Sequence, residues 1–110
     1  MEVELDLNDV LMIYSKYVDE GDIDKANFFL TVLAGFIAFL KHFNVVDQVK
    51  VTEFVKNLRQ QVIEGPDYLN PYVMELLGIL EEELNDETFN EFVTKLRMLL
   101  REERLDRLEV

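Results

Sequence analysis

Apolar side chains return at three- and four-residue spacing along nearly the whole sequence, and that spacing confines the chain to helices. Val3, Leu7, Val10, Leu11, Tyr14 and Val18 mark the first helical face. Asn8 or Asp6 is placed to cap its start, and Gly21 to end it. The opening Glu-Val-Glu-Leu-Asp-Leu alternates like a strand, but no second alternating run exists to pair with it. It reads as helix or frayed arm.

Asp22 then caps a second helix that runs to about Phe43, with Asp22 and Asp24 complementing its dipole. Projected at 100° per residue, Phe28, Phe29, Leu30, Val32, Leu33, Phe36, Ile37, Phe39, Leu40 and Phe43 cover an arc of roughly 200°. Asn27, Thr31, Ala34, Gly35, Ala38, Lys41 and His42 fill the rest. So wide an apolar arc belongs to the central helix of a bundle. A third helix, about 47–64, shows a narrow face of Val51, Phe54, Val55, Leu58 and Val62. Gly65-Pro66 ends it, and Asn70-Pro71 starts a fourth, about 71–84, with Tyr72, Val73, Leu76, Leu77, Ile79, Leu80 and Leu84 inward. Asn85 or Asp86 caps a fifth, about 86–108, whose core face is Phe89, Phe92, Val93, Leu96, Leu99 and Leu100. The expectation is a single all-α domain over residues 1–110, a compact bundle or orthogonal array of about five helices with the second central.

One stretch of about 20 residues, centred on Tyr14-Ser15-Lys16-Tyr17-Val18-Asp19-Glu20-Gly21-Asp22-Ile23-Asp24-Lys25-Ala26, resembles the hairpin of a tetratricopeptide repeat. In that family an aromatic helix, a Gly-Asp turn and an alanine-led helix recur with a period of about 34 residues. Here no second copy follows, and Ala38 stands where the repeat has proline. A single repeat cannot bury its own face, so the resemblance extends to turn chemistry and no further.

At 110 residues the chain can withdraw about two thirds of its unfolded surface from water, enough for one core without staples. Cysteine is absent, which removes disulfides, thiolate metal sites and a cysteine nucleophile. The first residues are acidic where a targeting peptide is basic, and the longest nearly uncharged run, 27–40, is short of the roughly 20 residues of a membrane span. A cytoplasmic protein without membrane contact is expected. The net charge of −12 is concentrated: residues 64–94 carry nine acids and no base. Phosphate binding draws its affinity from many cations, so direct nucleic-acid binding is not expected, whereas a basic protein partner fits.

Reactive groups do not assemble. Ser15 is the only serine and His42 the only histidine, the latter in the last turn of the second helix, where it meets the negative end of the dipole. Gly21, Gly35, Gly65 and Gly78 lie too far apart for a phosphate cradle. Glu81, Glu82, Glu83, Asp86, Glu87 and Glu91 leave a carboxylate-metal hydrolase as a third-ranked reading, although only Glu83 projects inward from the fourth helix and no matching pair faces it. The Glu81–Glu83 triplet opposes the dipole of the helix it ends, and an Arg or Lys from the third or fifth helix is expected to neutralise it. Asp19–Asp24 lacks the ordered positions of a calcium loop. No catalytic residue, metal or cofactor is assigned.

Two surfaces carry the expected function, a non-enzymatic helical interaction or accessory protein that self-associates or binds a protein partner. Thr31, Ala34, Gly35 and Ala38, at i, i+3, i+4 and i+7, would let another backbone approach closely, whether within the chain or from a second subunit. Met98, Leu105 and Leu108 form an apolar strip near the end of the fifth helix, with Arg101, Glu102 and Arg104 at its rim. A symmetric homodimer through this C-terminal helix is the leading expectation. The runner-up is an acidic decoy that offers residues 64–94 to a basic nucleic-acid-binding protein.

Overall fold

The computed structural model describes residues 5–64 and 71–108, the side chains of 102–108 excepted. Five helices follow one another: α1 (Leu7–Asp19), α2 (Ile23–His42), α3 (Gln48–Glu64), α4 (Pro71–Ile79) and α5 (Asp86–Leu108). There is no strand among the described residues. The helices form an all-α bundle, and α2 is central to it, packing against each of the other four.

Short polar side chains set most of the boundaries. Asp6 accepts from the Asn8 amide and Asp22 from the Lys25 amide, so each satisfies a donor that the first turn leaves free. Asp47 does the same for Val49 and Lys50 at the start of α3. Before α5 the choice falls on Asn85: its side chain accepts from the Thr88 amide at 2.9 Å, and the Thr88 hydroxyl receives the Asn85 amide at 2.8 Å. Gly21, at φ 75°, reverses the chain after α1. The Asp22 amide then reaches the Tyr17 carbonyl and the Gly21 amide that of Val18. Asn44 does the same work after α2 at φ 58°, where a glycine is more usual.

The core follows the expected faces in α1, α3 and α4. Val10 and Tyr14, then Val51, Phe54, Val55, Leu58 and Val62, then Val73, Leu76 and Leu77 are all buried. Val3, also assigned to the first face, lies outside the described residues. In α5 Phe92 and Leu99 are buried and Phe89, Val93 and Leu96 partly so, but Leu100 is exposed. The expected fourth helix stops early, at Ile79 instead of Leu84, and Leu80 and Leu84 reach the core from the turn beyond it.

The largest departure is in α2. Its interior side is Ala26, Leu30, Thr31, Ala34, Ile37, Ala38, Leu40 and Lys41. Phe28, Val32, Phe36, Phe39 and Phe43, expected in the core, face outward. A helix hemmed in by four neighbours needs short side chains where the axes approach, and interaxial distances of about 8–10 Å leave little room for phenyl rings. The rings therefore take the open side. The Thr31 hydroxyl is buried harmlessly, since it donates to the Asn27 carbonyl one turn back.

Candidate functional site

The outward side of α2 builds a continuous face. At 100° per residue Phe28, Val32, Gly35, Phe36, Phe39 and Phe43 fall within an arc of about 100°, along roughly 22 Å of helix. The five large side chains are 47% to 60% exposed. No charged residue occurs between Lys25 and Lys41, so water meets hydrocarbon along the whole stretch. Phe39 and Phe43 touch each other, ring centroids 4.6 Å apart, and the edge of His42 meets Phe43 at 5.0 Å. His42 in turn stacks flat on Phe89 of α5 at 4.0 Å, which braces this end of the face against the bundle. Its Nδ1 lies 3.9 Å from a carboxylate oxygen of Asp86.

Gly35 lies within this face, and a Cβ added to it would meet nothing within 4 Å among the described residues. Its chain makes no use of the close approach that a glycine permits. Thr31, Ala34 and Ala38, the other members of the small-residue stripe, are instead buried in the chain's own core. The expected stripe thus divides, three residues serving internal packing and one opening outward. In α5, Met98 is 52% exposed and Arg101 is exposed, as a contact strip requires. Leu105 and Leu108 lie on the helix, but their side chains are outside the described residues.

Behind the face sits Lys41, 2% exposed in the core of an apolar bundle. Its ammonium donates to the carbonyl oxygens of Leu80 at 2.9 Å and Glu82 at 2.7 Å, and to the Thr52 hydroxyl at 3.2 Å. All three protons are used. Burial pushes its pKa below the ordinary lysine value, and the carboxylate of Glu83 opposes that shift. Lys41 is therefore a cation placed against the negative end of α4, where three consecutive glutamates would otherwise stand unopposed. Arg59 of α3 assists, pairing with Glu81 at 3.2 Å. The sequence pointed to an Arg or Lys from α3 or α5, and Arg59 of α3 is one; the larger contribution comes from Lys41 of α2, which the sequence groups only with the small-residue stripe.

Because α4 ends at Ile79, the glutamate orientations drawn from a longer helix change as well. Glu81 turns toward α3, and Glu83 is exposed rather than inward. Lys95 bridges Glu75 and Glu91, at 3.6 Å each. Among the described residues no three His, Asp or Glu side chains gather as a metal ion requires. One helix among them, α2, is long and apolar enough to cross a membrane by length and composition alone, a test that the core helix of a soluble bundle also passes. The face of α2 was missed because hydropathy ranks phenylalanine above alanine. The signal that could have found it is the alignment of the small stripe with Leu30, Ile37 and Lys41.

Comparisons with protein-family models, with curated proteins and with solved structures gave no match.

Proposed function

We propose that this chain is a non-enzymatic helical interaction protein that acts through the aromatic face of α2, with the distal turns of α5 as a second contact. The observation that carries the reading is the half-exposure of Phe28, Val32, Phe36, Phe39 and Phe43 on one helix. Fully burying a side chain of this size contributes about 1.5–3 kcal/mol, so a covering surface gains several kcal/mol from this face. Contiguous apolar patches of several hundred Å² on an otherwise charged protein mark contact sites. α5 supports a second contact: at 23 residues it runs roughly 34 Å, longer than two of the molecule's three principal extents, 29 and 24 Å, and carries exposed Met98 and Arg101.

The test is co-purification from cells of its own source, comparing the wild type with a Phe36→Glu/Phe39→Glu double variant whose circular dichroism and urea midpoint match the parent. The variant is expected to lose the proteins that the wild type retains. Retention of the same proteins by both would end the reading.

A further inference from the structure

The face on α2 has a symmetry of its own. From Phe28 through Val32, Gly35, Phe36 and Phe39 to Phe43 the steps are 4, 3, 1, 3 and 4 residues, the same from either end. We infer, resting on the interaction reading above, that this face is covered by the same face of a second copy of the chain, the two α2 helices crossing antiparallel about a two-fold axis at Gly35 and Phe36. Such an axis sets Phe28 against Phe43 of the second copy and Val32 against its Phe39. Phe36 then lies over the second copy's Gly35, a large side chain opposite an absent one. An isologous contact demands this self-complementarity, and an arbitrary partner does not.

Three further observations agree. A half-exposed phenylalanine offers about 100 Å², so the five large side chains present on the order of 500 Å² of apolar surface. A standard interface buries about 800 Å² per partner, and roughly two thirds of that is apolar in homodimers. The face is of the size required. Among the described residues Gly35 has open space beside it, so the helix-weakening effect of glycine there fits a surface that approaches from outside. The net charge of −12 makes two copies repel, and residues 26–40, which are free of charge, are where repulsion between them is least. A membrane surface fits less well, since anionic lipid repels so acidic a chain.

Sedimentation equilibrium and light scattering on the full chain test the pairing. A dimer at micromolar concentration is expected, strengthened by added salt as like-charge repulsion is screened. Phe36→Glu is expected to weaken it at least about a hundredfold. Gly35→Ala gives the sharper result: it raises the melting temperature of the dilute monomer by a few degrees, because the added Cβ meets no neighbour, yet weakens the dimer about tenfold. Since the chain has no cysteine, Phe28→Cys mixed with Phe43→Cys should form a disulfide-linked pair under mild oxidation, while each variant alone should not.

A dimer indifferent to Phe36→Glu, a Gly35→Ala dimer as tight as the wild type, or cross-linking of each cysteine variant with itself would overturn the inference. So would a monomeric wild type, including one that sediments with lipid vesicles. If that monomer still captures proteins in a Phe36-dependent way, the second copy is excluded and the interaction reading stands. If capture ignores Phe36, both fall.

Discussion

The ammonium of Lys41 lies 2.7 Å from the backbone oxygen of Glu82, joining the last turn of α2 to the turn after α4 across 41 positions of sequence. With Leu80 and Thr52 it completes a set of three acceptors around one buried cation. Lys41→Met keeps the length of the side chain and removes every donor. The carbonyls of Leu80 and Glu82 then lose their cation, and unpaired buried acceptors cost about 1–3 kcal/mol each. A loss of about 2–4 kcal/mol in urea unfolding is expected. A variant as stable as the wild type would mean that the ammonium is not needed there.

Tyr14 predicts the opposite sign. Its ring is buried in the core, and its hydroxyl has no hydrogen-bond partner among the described residues. Tyr14→Phe therefore leaves stability unchanged or raises it by up to about 1 kcal/mol, because a desolvated, unpaired hydroxyl is removed. The pH dependence follows from the same burial, which raises the phenol pKa above its ordinary value of 10.0. The unfolded chain ionises first, so the stability that Tyr14 contributes is intact below pH 10.0 and is lost as pH rises through the folded value. Lys41 gives the reverse slope between its lowered folded value and 10.5, where the unfolded chain holds more protons. Alkaline unfolding of Tyr14→Phe and Lys41→Met should separate the two limbs.

The inverted packing of α2 is checked by truncating both sides. Leu30→Ala, at a fully buried position, should cost about 2–5 kcal/mol. Phe28→Ala, two residues earlier and 54% exposed, should cost the dilute monomer less than about 1 kcal/mol. Comparable losses at the two sites would contradict the orientation described.

The two left-handed positions distinguish conformational from chemical need. Gly21→Ala forces a Cβ into φ 75° and should lose about 1 kcal/mol, although no neighbouring atom blocks it. Asn44→Gly, at φ 58°, should gain a few tenths of a kcal/mol, and Asn44→Val should lose about 1. Thermal unfolding of the three variants reads these differences.

Much of the fold was legible because its signals are local. Asp22 and Gly21 act within a few residues of themselves, and the face of α3 is unambiguous because one side of that helix is polar. The orientation of α2 was not legible in the same way. Nearly every residue from Asn27 to Leu40 is apolar or small, so hydropathy alone gives no inside and outside. What decides is the number of neighbouring helices, a tertiary fact. The role of Lys41 was not legible for a related reason: a buried lysine is recognised by its acceptors, and these lie on the far side of the sequence. Leu100 fits the apolar period, yet at that level α5 turns Leu99 into the core and leaves Leu100 on its outer side.

Lys41 also bears on how the protein is made. A chain that has grown only through α1 and α2 lacks the acceptors that hold this ammonium, Thr52, Leu80 and Glu82. In a hairpin of those two helices the ammonium stays in water, and its seat at the last turn of α2 is complete only once the chain has grown past Glu82. Until then its phenylalanines and its alanines are both uncovered. Final packing of α2 accordingly waits on α4, and the interval before it is when a chaperone has most to hold.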